Sequence, residues 1–406
     1  MTAQRTDAIR TWRNPAAAAS TDLYSGVHAA ILNDAGFSAA LEEIRRWPGY
    51  AVTPLHRLPG LAASLGIAEL CYKDEGGRFG LKSFKALGGA YAVFRLLAKS
   101  ILAANGGHVT AHELFAGAHN AIVKGMTVTC ATDGNHGRSV AWGAQLFGCR
   151  CIVFVHEQVS PARRAAIAHY GAEVIEVPGN YDDSVRHAAA EAERNGWTVV
   201  SDTTYEGYRE IPVDVMHGYG VMAREIIVQM SKRPPTHVFV QAGVGGLAAA
   251  ICAAFWIAWG ERRPQFVVVE PTRADCYFRS AQAGVPVAVT GALDTVMAGL
   301  ACGEVSPLAW EIVKSGATAF AAVDDRFALE AMRALARPAT GDPAIVAGET
   351  GGCGLALLLA AQGHPGHREA LALTASSRVL LIGSEGDTDP ALYRQIIGAV
   401  EPASAP

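Results

Sequence analysis

The sequence predicts an α/β protein whose strands form a mostly parallel sheet. Three observations point there. Short apolar, β-branched runs recur from about residue 50 onward. Each is separated from the next by a longer helical pattern. The chain is 406 residues long, 50% hydrophobic and 18% charged, enough to bury a sizeable core as about two or three compact units. Strands alternating with helices make βαβ units. In such sheets ligands gather in the loops that follow the carboxyl ends of the strands.

The first forty residues, rich in Ala and Ser, read as an arm or a short helix. "ELCYKDE" (69–75) reads as a strand, and "FKALGGAYAVFRLLAKSIL" (84–102) as a helix with a leucine-rich face. "MTVTCAT" (126–132) is a strand, and "HGRSVAWGAQLFG" (136–148) a helix closed by Gly148. The strand "CRCIVFVHE" (149–157) leads to "SPARRAAIAHYG" (160–171), which has a Ser-Pro start and a Gly stop. The pattern continues with "AEVIEVP" (172–178), a helix over 181–196, and "WTVVSDT" (197–203). Later come "THVFVQAG" (236–243) with its helix, "QFVVVEP" (265–271), "TAFAAVDD" (318–325) with the helix after it, and "RVLLIGSEG" (378–386).

Composition excludes several classes. A net charge of −4 predicts no nucleic-acid or anionic-membrane surface. The N-terminus lacks a cationic segment followed by an apolar core, so no secretory signal is expected. Eight cysteines without a CxxC pair indicate a reduced, cytoplasmic protein, and the CxC at Cys149 and Cys151 is a weak metal signal, so no metal is expected. The uncharged run 238–260 approaches membrane-spanning length, but "GVGG" interrupts it. A strand, a glycine turn and a buried helix explain it better.

Chemistry-bearing residues fall at predicted strand ends. "QAGVGGLAAA" follows a strand and opens a helix, where backbone N–H groups and the helix dipole suit a phosphate. Gly243, Gly245 and Ala248 also fit G-x-G-x-x-A, with Glu270 ending the next strand, as in a dinucleotide site. Tight strand–helix packing would use the same glycines. "CATDGNHGRSVAW" (130–142) puts Asp133, Gly134, Asn135 and His136 at a helix start, where N–H groups suit a carboxylate. The plainer reading is a helix cap made by Asp133 or Asn135. Asp202, Glu349, Ser384, Glu385, Asp387 and Asp389 also lie at strand or loop ends. Each acid alone is more often a cap or a solvated turn.

Lys73, Lys82 and Lys85 precede or enter the first long helix. Lys73 neighbours Asp74 and Glu75, so a solvated or ion-paired role is expected, and Lys82 lies in a turn. Lys85 stands before "ALGGAYA", small residues that admit a flat ring. A lysine with a phosphate cradle suggests pyridoxal phosphate, which needs a Schiff-base lysine, N–H groups for its phosphate and a partner for its ring nitrogen.

"RFGLKSFKALGGAYA" resembles the lysine motif of fold-type II (tryptophan synthase β-like) pyridoxal-phosphate enzymes, and "TDGNHGRSVAWGAQLFG" resembles their S-x-G-N-H-G loop. Within that group the segments "DGNHGR", "DTTYEGYREIPVDVMHGYG", "VEPTRADCYFRSA", "MAGLACGE" and "GSEGDTD" resemble the diaminopropionate ammonia-lyases. The likeness runs from about residue 35 to the last helix. It implies two open, twisted, mostly parallel sheets flanked by helices, in a large and a small domain with the cofactor between them. The expected division is an arm at 1–45, a large domain at 46–88 and 200–406, and a small domain at 89–199.

The resemblance also implies roles. Lys85 would carry the Schiff base, and Asn135 would bond the phenolic oxygen of the ring. Gly243, Val244, Gly245 and Gly246 would hold the phosphate. Ser384 would face the pyridine nitrogen, and Glu349 would belong to the cofactor pocket. Thr132, Asp133, Gly134, Asn135 and His136 would take the substrate carboxylate. The implied reaction is elimination from D- and L-2,3-diaminopropionate to pyruvate and two ammonia, with Lys85 and Asp133 serving opposite faces of Cα and Asp202 binding the β-ammonium group. Cys276 and Cys302 lie among the matching segments and could pair. A cytoplasmic homodimer is expected. A serine or threonine dehydratase on the same fold and a nucleotide-dependent dehydrogenase using "GVGGLA" are the rival readings.

Overall fold

In the computed structural model, residues 8–132, 134–338 and 341–398 are described, position 182 for its backbone alone. The strands are β1 (Ile9–Arg13), β2 (Leu55–Arg57), β3 (Glu69–Asp74), β4 (Thr127–Ala131), β5 (Arg150–His156), β6 (Glu173–Val177), β7 (Thr198–Val199), β8 (His237–Gln241), β9 (Gln265–Pro271), β10 (Ala319–Val323) and β11 (Arg378–Gly383). They form two sheets. The larger has the order β1-β10-β9-β8-β11-β3-β2, and the smaller β6-β5-β4-β7. Every pairing is parallel except those of the two edge strands, β1 with β10 and β2 with β3. Helices cover the sheets, which is why β8 and β10 are buried at every position and read as unbroken apolar runs.

The run 238–260 divides into β8, a glycine turn and the helix Gly246–Trp259. Among the described residues one helix, Lys85–Asn105, is long and apolar enough to cross a membrane, and most of it is buried in the protein. Its small residues serve close packing. A Cβ at Gly88 would overlap the Tyr219 ring, and one at Gly89 the Ser139 hydroxyl. Gly143 and Gly218 return the contact from helices Asn135–Phe147 and Glu210–Gln229, lying against Ala90 and the Leu87 carbonyl.

Two expectations need correction. The N-terminal segment contains a strand, β1, that closes one edge of the large sheet. The strand "WTVVSDT" pairs only over Thr198–Val199, which leaves Asp202 in a loop. Of the two roles expected for Lys73, solvated or ion-paired, the structure shows the second. The side chain is fully buried, and its ion-pair partner is the distant Glu225 at 2.7 Å. Arg78 joins the same network, 2.7 Å from Glu75 and 2.8 Å from Glu225. Thr53 gives its hydroxyl to Glu75 and its carbonyl to Lys73. Buried charges persist only when paired and hydrogen-bonded in this way.

Candidate active site

Lys85 is the first residue of helix Lys85–Asn105, as the sequence suggested. The loop before it is pinned to the end of β11. The Phe84 N–H donates to the Ser384 carbonyl, and the Gly386 N–H donates to the Lys82 carbonyl, each at 3.0 Å. Lys82 adopts φ 55°, in the left-handed region that residues with side chains seldom enter. That turn sets Ser83 and Phe84, the two residues before Lys85, against Glu385 and Ser384.

The Lys85 ammonium pairs with Asp202, in the loop after β7, and lies 5.8 Å from the centroid of the Tyr219 ring. Burial opposes the charge on Lys85, but the Asp202 carboxylate outweighs it and holds the amine above its ordinary pKa. Burial likewise pushes Asp202 up, yet Lys85 and then His136 hold it well below the usual carboxylate range. His136 Nδ1 lies 3.8 Å from the same carboxylate oxygen.

Asn135 opens helix Asn135–Phe147, but no side chain caps that helix at Gly134. The Thr132 hydroxyl takes the local load, accepting from the N–H groups of Gly134 and Gly137 at 3.0 and 3.1 Å. The Asn135 amide is turned inward. Its Nδ2 donates to Glu385 at 2.6 Å, and its Oδ1 accepts from Arg138 at 2.9 Å. Asp133 lies outside the described residues. The N–H groups of Asn135 and His136 belong to a first helical turn, where no carbonyl of the same helix can accept from them.

Gly245 caps the helix Gly246–Trp259 with φ 101°, and a Cβ there would overlap the Tyr277 hydroxyl. A Cβ on Gly243 would come to 3.0 Å from Cys302 Sγ and from the Gly299 carbonyl. The Val244 carbonyl is turned away, accepting from Ser306 N–H at 2.9 Å and the Tyr277 hydroxyl at 3.1 Å. Gly246 lies against Met216, Tyr219 and the Asp202 carbonyl, so this loop and Lys85 share a wall.

Ser384 is buried and accepts from Gln241 Nε2 at 2.6 Å. Glu349 is 5% exposed, and burial together with the Glu385 charge pushes its pKa up to about 7. Glu270, the acid of the dinucleotide-like pattern, is spent internally. It accepts from the N–H groups of Tyr277 and Phe278, both at 2.8 Å. Cys276 and Cys302 carry no disulfide between them, and Cys276 Sγ faces Glu270 instead.

The structure therefore gathers Lys85, Asp202 and the His136 ring around one carboxylate, and Asn135, Glu385 and Glu349 around another. Its comparison with known proteins is consistent along the whole chain. The family model "Pyridoxal-phosphate dependent enzyme" matches residues 46–381. The diaminopropionate ammonia-lyase of Escherichia coli (strain K12) is 40% identical over 394 residues, 96% of this chain and 98% of its own. The crystal structure of the holo enzyme from Escherichia coli superposes with a TM-score of 0.87 at 38% identity, covering 98% of each chain. The same enzyme in complex with D-serine gives a TM-score of 0.84 at 38% identity over 96% of each chain.

The chain belongs to the diaminopropionate ammonia-lyase family.

Members of this family are pyridoxal-phosphate dependent lyases of fold type II, and the residues present fit that cofactor. Gly243, Gly245 and Gly246, with Val244 the one side chain among them, offer a cradle at a helix start, where the dipole favours a phosphate. Ser384 would meet the ring nitrogen. With Gln241 already donating to its oxygen, the hydroxyl proton is left to donate, which suits an unprotonated pyridine nitrogen. Sequence reasoning for this diaminopropionate ammonia-lyase family member missed Gln241, Tyr219 and the His136 ring, and took Glu385 only as one acid among several. Gln241 left a readable signal, being the one amide at the end of the buried strand "HVFVQ". Glu385 left none, because its partner Asn135 is 250 residues away.

Proposed function

We propose that this protein eliminates ammonia from D- and L-2,3-diaminopropionate, giving pyruvate and a second ammonia. The observation that carries the reading is the carboxylate of Asp202 seated on Lys85, at the mouth of a glycine cradle. Serine and threonine have no β-ammonium group to need such a carboxylate, whereas a diamine does. The relative's complex with D-serine supports an amino-acid substrate.

The proposed roles are those the resemblance implies, and the positions of Lys85, Asn135, Asp202 and Ser384 support them. Gly243, Val244, Gly245 and Gly246 hold the phosphate of pyridoxal phosphate. Asn135 faces its phenolic oxygen, Ser384 its ring nitrogen, and Glu349 completes the pocket. When bound, the cofactor supplies the electron sink that disperses charge from Cα. The backbone of Thr132, Gly134, Asn135 and His136, with Asp133, binds the substrate carboxylate. Asp202 stores the proton that Lys85 must give up to become a nucleophile and later a base. It also binds the β-ammonium group. Lys85 takes the α-proton from one face and Asp133 from the other, so one site serves both isomers.

Pyruvate release measured across diaminopropionate, serine and threonine tests the substrate. Faster turnover of serine than of either diaminopropionate isomer sinks the reading in favour of a dehydratase. Borohydride should fix a yellow chromophore on Lys85, and Lys85→Ala should abolish both the chromophore and turnover. Asp133→Asn should lose the D-isomer activity and keep the L-isomer activity, and equal loss of both rejects the two-face assignment.

The proposal includes a homodimer, to be measured by light scattering, and cytoplasmic residence. It also includes a large unit of 46–88 and 200–406 with a small unit of 89–199, testable by limited proteolysis. What supports the division is that, β1 apart, each sheet draws its strands from one unit.

A further inference from the structure

A serine hydroxyl can donate or accept, and one amide decides which Ser384 does. Gln241 ends β8 and is 2% exposed. Its Nε2 faces three oxygens: the Thr350 carbonyl at 3.1 Å, the Ile382 carbonyl at 2.9 Å and Ser384 Oγ at 2.6 Å. Carbonyls only accept, so the end of the amide that meets them must be the NH2 group. A turned amide would set its oxygen against both carbonyls. Oε1 is buried with no hydrogen-bond partner among the described residues, so the donor end alone fixes the side chain. Ser384 Oγ therefore accepts. Its own hydrogen makes no bond to any of the described residues and is left for a ligand.

We infer that Gln241 is a positioning residue that keeps the pyridine nitrogen of the cofactor unprotonated and so confines the site to elimination. The inference rests on the proposed placing of Ser384 at that nitrogen.

An unprotonated nitrogen accepts the waiting hydrogen, and both partners are satisfied. A protonated nitrogen would aim a second N–H at Oγ and leave the hydroxyl hydrogen buried without an acceptor, which is unfavourable. The neighbouring acids pull the other way. Glu349 and Glu385 adjoin Thr350 and Ser384 in the chain, and negative charge there favours a proton on the ring. Tyr72 on β3, a third titratable group at this end, is kept neutral by burial and gives its hydroxyl to the Gly351 carbonyl. What opposes the acids is a hydrogen bond that needs the bare nitrogen, and Gln241 directs it.

The charge of the ring decides what becomes of Cα. A protonated ring is the stronger electron sink, and charge at Cα then lasts long enough to regain a proton. An unprotonated ring is a weaker sink. The electron pair left by the α-proton goes into the Cα–Cβ bond as the β-nitrogen departs with the Cβ–N pair. Neither Gln241 nor Ser384 gains or loses a proton, so Gln241 acts by orientation alone.

The test is ¹⁵N NMR of the protein loaded with ring-labelled pyridoxal phosphate. In the natural chain the ring nitrogen should be unprotonated at neutral pH, and a protonated one overturns the inference with no variant needed. Gln241→Met fills similar space without a donor and frees the hydroxyl to turn. Its ring nitrogen should titrate about one pH unit or more higher than in the natural chain. Exchange of the substrate α-hydrogen with D2O, relative to elimination, should rise severalfold. In a Ser384→Ala background, Gln241→Met should change neither quantity. If Gln241→Met does not load the cofactor, Gln241→Leu makes the same comparison. An unmoved titration, or an equal shift with Ser384 absent, overturns the inference and leaves the substrate reading intact. Ser384→Ala with the titration of the natural chain fails the placing of Ser384, and the inference falls with it. The nitrogen signal needs no substrate, so a chain that releases no ammonia from diaminopropionate fails the substrate reading alone.

Discussion

Glu349 and Glu385 put two carboxyl groups within reach of each other, and Glu385 is the one that holds Asn135. Glu385 accepts from the Asn135 amide and from the Thr350 N–H. Burial, and then the Glu385 charge beside it, push the Glu349 carboxyl up to about 7 from an ordinary 4.5. A group whose folded pKa is raised contributes stability below its unfolded pKa and loses it as pH rises through the folded value. Relative to Glu349→Gln, the cofactor-free natural chain should therefore lose up to about 3 kcal/mol between roughly pH 4.5 and pH 8, as read from paired urea melts. A difference that does not change with pH would show that Glu349 titrates alike in the folded and unfolded chain. Lys85, Asn135 and Ser384 could be singled out as candidates in the sequence because each stands in a contiguous motif next to an apolar run. Gln241, Glu385 and the His136 ring were not, because their roles depend on partners brought in by the sheet.

At the scale of elements, the glycines of the helix crossings carry the sharpest expectations. A Cβ at Gly218 would run into the Leu87 carbonyl, and backbone cannot swing aside as a long side chain can. Gly218→Ala should destabilise the fold by about 1–3 kcal/mol in denaturant melts. It should also lower cofactor occupancy, since Lys85 and Tyr219 flank the overlap. Gly366→Ala, in open surroundings, should leave both unchanged. The strands of both sheets were legible as apolar runs of about the right length. β1 and β2 were not, since "IRTWR" and "LHR" acquire strand structure only from β10 and β3 beside them. β7 was overcalled, because its apolar letters continue beyond the point where β4 stops pairing.

Across the whole molecule, the buried network of Lys73, Glu75, Arg78 and Glu225 joins β3 and the loop before Lys85 to helix Glu210–Gln229. Glu225→Gln leaves two cations with one carboxylate and should cost about 3–5 kcal/mol. Glu225→Gln with Lys73→Met should recover part of that loss, and no recovery would mean that the two residues do not interact. Parallel pairing and the sheet-and-helix layering followed from alternation alone. The strand order did not, because it is set by contacts between segments hundreds of residues apart. The smaller sheet is spliced into the chain between helices Lys85–Asn105 and Glu210–Gln229, and these two helices touch backbone to backbone where Gly218 meets Leu87. That crossing lies less than one turn from Lys85. Any side chain added at 218 must push apart the two helices between which the smaller sheet is spliced, and it does so beside the lysine.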